Sequence, residues 1–90
     1  MIEIEHIAER GRFQARVEGL LCVADYRLHG HRMEIVHTEV PPPLAGRGIA
    51  ARLVRAALTH ARTNALEVVP LCSYVRAYMR RHPDTQDLLA

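Results

Sequence analysis

Ninety residues with 49% apolar content allow one compact domain, residues 1–90, with a single core and no room for a second. The net charge is +2, and the 12 basic residues, all arginine, are scattered along the chain, so a basic tail or continuous nucleic-acid stripe is excluded. The N-terminal "MIEIEHIAER" is charged from its third residue, and no window approaches the roughly 18 apolar residues of a membrane span; the expectation is a soluble cytoplasmic protein with no membrane partner.

A weak strand is expected over Ile2 to His6. From Phe13 to Val17 apolar and polar residues alternate, with Phe13, Ala15 and Val17 on one face, the pattern of a half-buried strand. Gly19 separates it from "LLCVADYRL", a longer strand in which Leu20, Cys22, Ala24, Tyr26 and Leu28 share a face. "HGH" at His29 to His31 has a central glycine suited to the positive φ of a tight hairpin. Neither a cysteine nor a carboxylate stands beside these histidines at ligand spacing, so no metal is expected there. "RMEIVHTEV" alternates again until Pro41 to Pro43 remove three backbone donors and end the ladder.

After Gly48 the period changes from two to 3.6. Ala50, Leu53, Val54, Ala57, Leu58 and Ala61 form an apolar stripe, with Arg52, Arg55 and Arg62 off it, which predicts an amphipathic helix from about Arg47 to about Thr63 with Asn64 as its left-handed stop. "LEVVPLC" reads as a short apolar strand. "SYVRAYMRRHP" reads as a second helix, with Tyr74, Val75, Tyr78 and Met79 on one face and Pro83 closing it. A helix between two strands makes a crossover, so the last strand should run parallel to the strand ending at Val40. Cys22 and Cys72, 50 residues apart with no CxxC pairing, read as free thiols.

"VPPPLAGRGIA" thus sits between a strand and a helix. Unpaired amides and the positive end of the helix dipole favour an anion there, glycines admit its oxygens close to the backbone, and Arg47 adds a charge. Two nucleotide motifs fail: Gly48 is followed by Ile49, Ala50 and Ala51 where a dinucleotide fingerprint needs a third glycine, and a P-loop needs a lysine that this chain lacks.

"HTEVPPPLAGRGIAARLVRAAL" resembles motif A of the GNAT superfamily of N-acetyltransferases, whose Q/R-x-x-G-x-G/A loop holds the pyrophosphate of acetyl-CoA. Gly46 and Gly48 match its glycines, and Pro43 stands where the pattern has Gln or Arg. "VVPLCSYVRAYMRRHP" looks like a hallmark of the short YjdJ-type GNAT proteins. The resemblance implies an α+β, mixed α/β sandwich: an antiparallel β-meander followed by a helix, a parallel strand splayed from its neighbour, and a C-terminal helix. It also implies acetyl-CoA as cosubstrate, an amine acceptor, and a cofactor site made by Val40, Ala45, Gly46, Arg47, Gly48, Ile49, Ala50, Cys72 and Tyr78. Against that pattern the chain reads as short of the N-terminal helical region that usually helps build the acceptor pocket, and the expectation is an acceptor site that is an open groove or is completed by a second copy, as in a homodimer, or by a partner.

Acyl transfer from a thioester to an amine needs a deprotonated acceptor, a polarised carbonyl and a proton for the leaving thiolate. Setting the N-x-x-A-x-x-F-Y segment of larger relatives on Cys72 to Met79 puts Met79 where their tyrosine acid stands, with Tyr78 about 100° away around the helix. Cys72 precedes the last helix, whose N-terminal field favours thiolate, and is a candidate nucleophile for a thioester intermediate. The other reading of Cys72 is a small buried hydrophobe. His37 and Glu39 alternate on one strand face, with Thr38 and Val40 on the other, and are candidate bases; His37 also reads as a histidine satisfied at a sheet surface. The leading function is acetyl transfer to an amine, and its rival is a non-catalytic acetyl-CoA or CoA-binding module. Nucleic-acid binding through Arg52, Arg55 and Arg62 is disfavoured by the missing stripe and the low aromatic content.

Overall fold

The computed structural model describes residues 2–90. Its single sheet has the order β1-β2-β3-β4-β5, with β1 at Glu5–Ile7, β2 at Arg12–Val17, β3 at Leu20–His29, β4 at Arg32–Glu39 and β5 at Glu67–Pro70. The first four strands form an antiparallel meander, and β5 runs parallel to β4. Helix α1, Ile49–Thr63, makes the crossover between β4 and β5, and α2, Ser73–Arg81, follows β5. Among these residues no helix is long and apolar enough to cross a membrane.

The two periodicities meet in one core. Alternate residues of the strands, Phe13 and Ala15, Cys22, Ala24 and Tyr26, Met33 and Ile35, and Val68, present a buried face. Against it lie Ile49, Leu53, Val54, Ala57, Leu58 and Ala61 of α1 and Val75, Tyr78 and Met79 of α2. Each large aliphatic side chain so buried contributes on the order of 1.5–3 kcal/mol.

Several boundaries differ from those expected. The first strand is Glu5–Ile7, because pairing with β2 begins only at Glu5 opposite Gln14. Helix α1 begins at Ile49, since Gly48 is left-handed and serves as its N-cap. At the other end Asn64 has φ −104° and its side-chain amide donates to His60 O at 2.9 Å; the left-handed residue is Ala65, at φ +54°. Past Pro83 the chain forms a 3-10 turn, Pro83–Leu88, which Arg62 clamps to α1 through both carboxylate oxygens of Asp87.

Two irregularities of β4 open the region where the glycine loop begins. Tyr26 pairs with Ile35 but its neighbour Asp25 pairs with His37, so Val36 is an extra residue, a β-bulge. Strict alternation from Ile35 would turn His37 toward the core; the bulge instead aligns Thr38 with buried Ala24. On the other edge of β4, pairing with β5 ends at Ile35 opposite Pro70, and the amides of Leu71 and Cys72 both converge on Ile35 O at 3.1 and 3.0 Å. Beyond that point no backbone ladder joins β4 to the chain after β5, and they part in a wedge that the side chains of Thr38 and Cys72 bridge.

Candidate active site

One wall of the wedge leads into the glycine loop. After Pro41 the chain makes a 3-10 turn, Pro42–Leu44, that buries Leu44 completely beneath the loop. Gly46 and Gly48 then take φ +81° and +76°, a left-handed backbone in which any side chain is strained, and a Cβ at either would meet nothing within 4 Å. The first α1 amide with a backbone acceptor is that of Arg52, which donates to Gly48 O at 3.2 Å. The amides before it, from Gly46 to Ala51, have no such acceptor among the described residues. They form the positive end of a helix of 15 residues, facing open space.

Beside these amides is a cavity of about 350 Å³ lined by Val40, Leu44, Ala45, Gly46, Gly48, Ile49, Ala50 and Tyr74. Of the residues expected at a cofactor, Val40, Ala45, Gly46, Gly48, Ile49 and Ala50 are brought together here. Neither Cys72 nor Arg47 is among the lining residues; the Arg47 Nη1 reaches Glu18 Oε2 in the turn between β2 and β3, at 2.6 Å. Tyr78 is 4% exposed and lies elsewhere, stacked on His82 with ring centroids 4.0 Å apart. The aromatic ring at the cavity is Tyr74, one turn earlier on the same helix face.

Cys72 stands on the far side of the wedge as the N-cap of α2. Its carbonyl accepts the first helical bond, from Arg76 N at 3.1 Å, and the Arg76 guanidinium folds back to donate to Pro70 O and Leu71 O at 3.1 and 2.8 Å, fixing the turn. The half-buried thiol donates to Thr38 Oγ1 across the wedge at 3.6 Å, within reach for a sulfur donor. Burial pushes this thiol up, but hydrogen bonding from Thr38 and the amides of Val75, Tyr74 and Thr38 outweighs burial, and the net direction is down. The side chain makes no strict capping hydrogen bond; the amides of α2 act on the sulfur by proximity, which suffices to favour a negative charge there. Cys22, by contrast, is fully buried, and burial pushes its thiol up.

His37 and Glu39 occupy the sheet face opposite Thr38. They are 53% and 66% exposed and bond to each other, His37 Nε2 to Glu39 Oε1, at 3.1 Å. The bulge at Val36 therefore separates the two candidate bases from the candidate nucleophile by the thickness of the strand. Sequence reasoning passed over Thr38 and Tyr74; position alone identifies them, since Thr38 bonds to Cys72 and Tyr74 lines the cavity at the glycine loop.

Meander, glycine loop at a helix start, and a parallel strand splayed after a bulge form a recognisable set, and residues 12–88 match the family described as GCN5-related N-acetyl-transferase. The chain belongs to the GCN5-related N-acetyltransferase family. This GNAT domain is 36% identical to Protein NATD1 of Gallus gallus over 97% of its own length and 82% of the relative's, and 36% identical to Protein NATD1 of Homo sapiens, covering 97% and 80%. Its fold superposes on a GCN5-like protein of Staphylococcus aureus solved in solution by NMR, with TM-score 0.78, 26% identity and coverage of 98% and 87% of the two chains. GNAT proteins typically use acetyl-CoA, and the free amides, the left-handed glycines and the clear space in front of them fit the pyrophosphate of such a cosubstrate.

Proposed function

We propose that this GNAT domain transfers an acetyl group from acetyl-CoA to an amine by way of a thioester on Cys72. The observation that carries the reading is the position of Cys72 at the start of α2, where hydrogen bonds push its thiol pKa down, two residues before Tyr74, which lines the cavity at the glycine loop. The free loop amides from Gly46 onward hold the pyrophosphate, the Ala45 amide being bonded to Pro42 O, and Val40 and Tyr74 flank the arm that leads to the thioester. Bound acetyl-CoA supplies an activated acyl group. Cys72, having released its proton to solvent, attacks the carbonyl carbon; a C–S bond to Cys72 forms, the C–S bond to CoA breaks, and CoA departs as a thiolate that takes up a proton. A neutral amine then attacks the Cys72 thioester, forming the amide and returning the thiol. Both cysteines are free, which suits a reducing compartment, and we place the activity in the cytoplasm.

Met79 gives a second reading its footing. It stands where larger relatives have a tyrosine acid and is 1% exposed, so no proton donor is supplied from that position. A CoA-binding module without chemistry would keep the glycine loop and need neither Cys72 nor an acid.

Mass spectrometry of the protein mixed with acetyl-CoA separates the two. Transfer by this route predicts one acetyl group on Cys72, absent in Cys72→Ala and discharged by an amine panel. Turnover by Cys72→Ala at the wild-type rate would rule out the nucleophile. Calorimetric binding of acetyl-CoA with no product would leave the module. Gly46→Glu, which thrusts a carboxylate into the loop, is the control for binding, and an absence of binding by the wild type would sink both readings.

A further inference from the structure

We propose that Thr38 is the positioning residue for Cys72: its hydroxyl accepts the S–H of the resting thiol and, once the sulfur is ionised, rotates to donate to it, holding Sγ at the mouth of the wedge. This inference rests on the reading of Cys72 as nucleophile and assigns the group through which the fold controls that sulfur.

Three independent features converge on it. The side-chain distance, 3.6 Å from Sγ to Oγ1, spans the gap between β4 and the chain after β5, where no backbone ladder joins them. Register explains why a threonine is there at all: with Val36 inserted, Thr38 faces the same side as Ala24 and Ile35, whereas an unbulged strand would offer His37. A hydroxyl is also the side-chain group suited to both states of the sulfur, because it accepts from a thiol and donates to a thiolate. An imidazole in that place would carry its own titration into the site.

The Thr38 hydroxyl acts on this sulfur together with backbone amides. Among the described residues, the groups that favour a negative Cys72 are Thr38 and the backbone amides of Val75, Tyr74 and Thr38; no charged side chain takes part. His37 and Glu39, the nearest ionisable residues along β4, lie on the opposite face and bond to each other. Cys72 is therefore set by neutral hydrogen bonds. Losing one of them leaves the sulfur under a burial that favours the thiol.

Alkylation of Cys72 by iodoacetamide across pH 5 to 10, followed by peptide mass spectrometry, reads the thiolate without any acyl donor. Thr38→Ser and Thr38→Ala both lose the methyl group and differ by a single oxygen, so packing cancels between them. Thr38→Ala is expected to move the alkylation profile to higher pH and to slow the reaction at pH 7 roughly tenfold, with Thr38→Ser close to wild type. Thr38→Val, which keeps the shape and removes the hydroxyl, should follow Thr38→Ala. Ser and Ala profiles that superimpose would overturn the assignment, as would a Val profile equal to wild type. Failure of the nucleophile reading is visible separately: wild-type protein would then gain no acetyl group from acetyl-CoA, whatever the alkylation profiles.

Discussion

Arg47 Nη1 lies 2.6 Å from Glu18 Oε2, so the residue between the two loop glycines is tied to a turn 29 positions earlier in the chain. Both side chains are about half exposed, and an ion pair of that kind contributes little to stability and less as salt rises. Its consequence falls on binding instead. Glu18 sets a negative charge beside a loop whose free amides attract an anion, and it occupies the one cation the loop carries. Glu18→Gln is expected to tighten CoA binding by roughly two- to fivefold at low ionic strength, with the gain shrinking at 0.5 M salt. Calorimetry at the two salt concentrations checks it; weaker binding by the variant would mean that the pair's main work is to hold the loop in shape.

Gly11 is a requirement of packing. It has φ +64°, its carbonyl accepts from Tyr26 N at 2.8 Å, and a Cβ there would collide with the Tyr26 carbonyl oxygen. The obstacle is backbone within the central hairpin and cannot swing aside. Gly11→Ala should cost about 2–4 kcal/mol, measured by urea unfolding. Gly30→Ala is the comparison, since a Cβ at that hairpin tip meets nothing within 4 Å and only the left-handed φ of +60° is strained. Equal losses in the two variants would contradict the steric account.

His6 links the sheet edge to pH. Its ring stacks on Phe13 at 4.1 Å, meets His60 of α1 edge-on at 4.5 Å, and bonds to the Tyr26 hydroxyl. Burial first, and then the neighbouring His60, push its pKa below the ordinary value of 6.5, with Glu9 opposing them weakly. The unfolded chain therefore binds this proton more readily than the folded one. Stability from this site is complete above pH 6.5 and is lost as pH falls from there through the lower folded value. The melting temperature should drop by a few degrees between pH 7.5 and pH 5, and the drop should be smaller in His6→Gln. Identical slopes in the two proteins would remove His6 from the account.

How far these relationships can be read from sequence depends on their range. Phe13, Ala15, Cys22 and Ala24 report a half-buried meander because alternation is a property of each strand alone, and Leu53, Val54, Ala57 and Leu58 report a helix for the same reason. The glycine loop is legible because Gly46 and Gly48 punctuate the change of period. The bulge is only half legible: Ile35 and Val36 are adjacent apolar residues that break the alternation, but only the register against β3 shows that Val36 is an extra residue. Arg47 and Glu18 meet through tertiary structure, which no local pattern encodes. The stop of α1 moved from Asn64 to Ala65 because the Asn64 side chain bonds to His60 O and leaves the left-handed turn to its neighbour.

The second helix sharpens the same lesson and yields a direct contrast. Tyr74 and Tyr78 are four residues apart and share a helical face, so periodicity treats them alike. A helix that starts at the wedge and leads away from it does not: Tyr74, in its first turn, lines the loop cavity, whereas Tyr78, one turn on, is buried against His82 and the cleft between α1 and the C-terminal 3-10 turn. Tyr74→Ala should therefore weaken CoA binding roughly tenfold, the loss of an aromatic wall being worth about 1–2 kcal/mol, with a small effect on unfolding because the ring is only half-buried. Tyr78→Ala should do the reverse, destabilising the fold by about 3–5 kcal/mol as a truncated core aromatic, while Tyr78→Phe leaves CoA affinity unchanged. Calorimetry and urea unfolding of the three variants decide the matter, and a Tyr78→Phe protein that binds CoA poorly would return the cofactor contact to Tyr78.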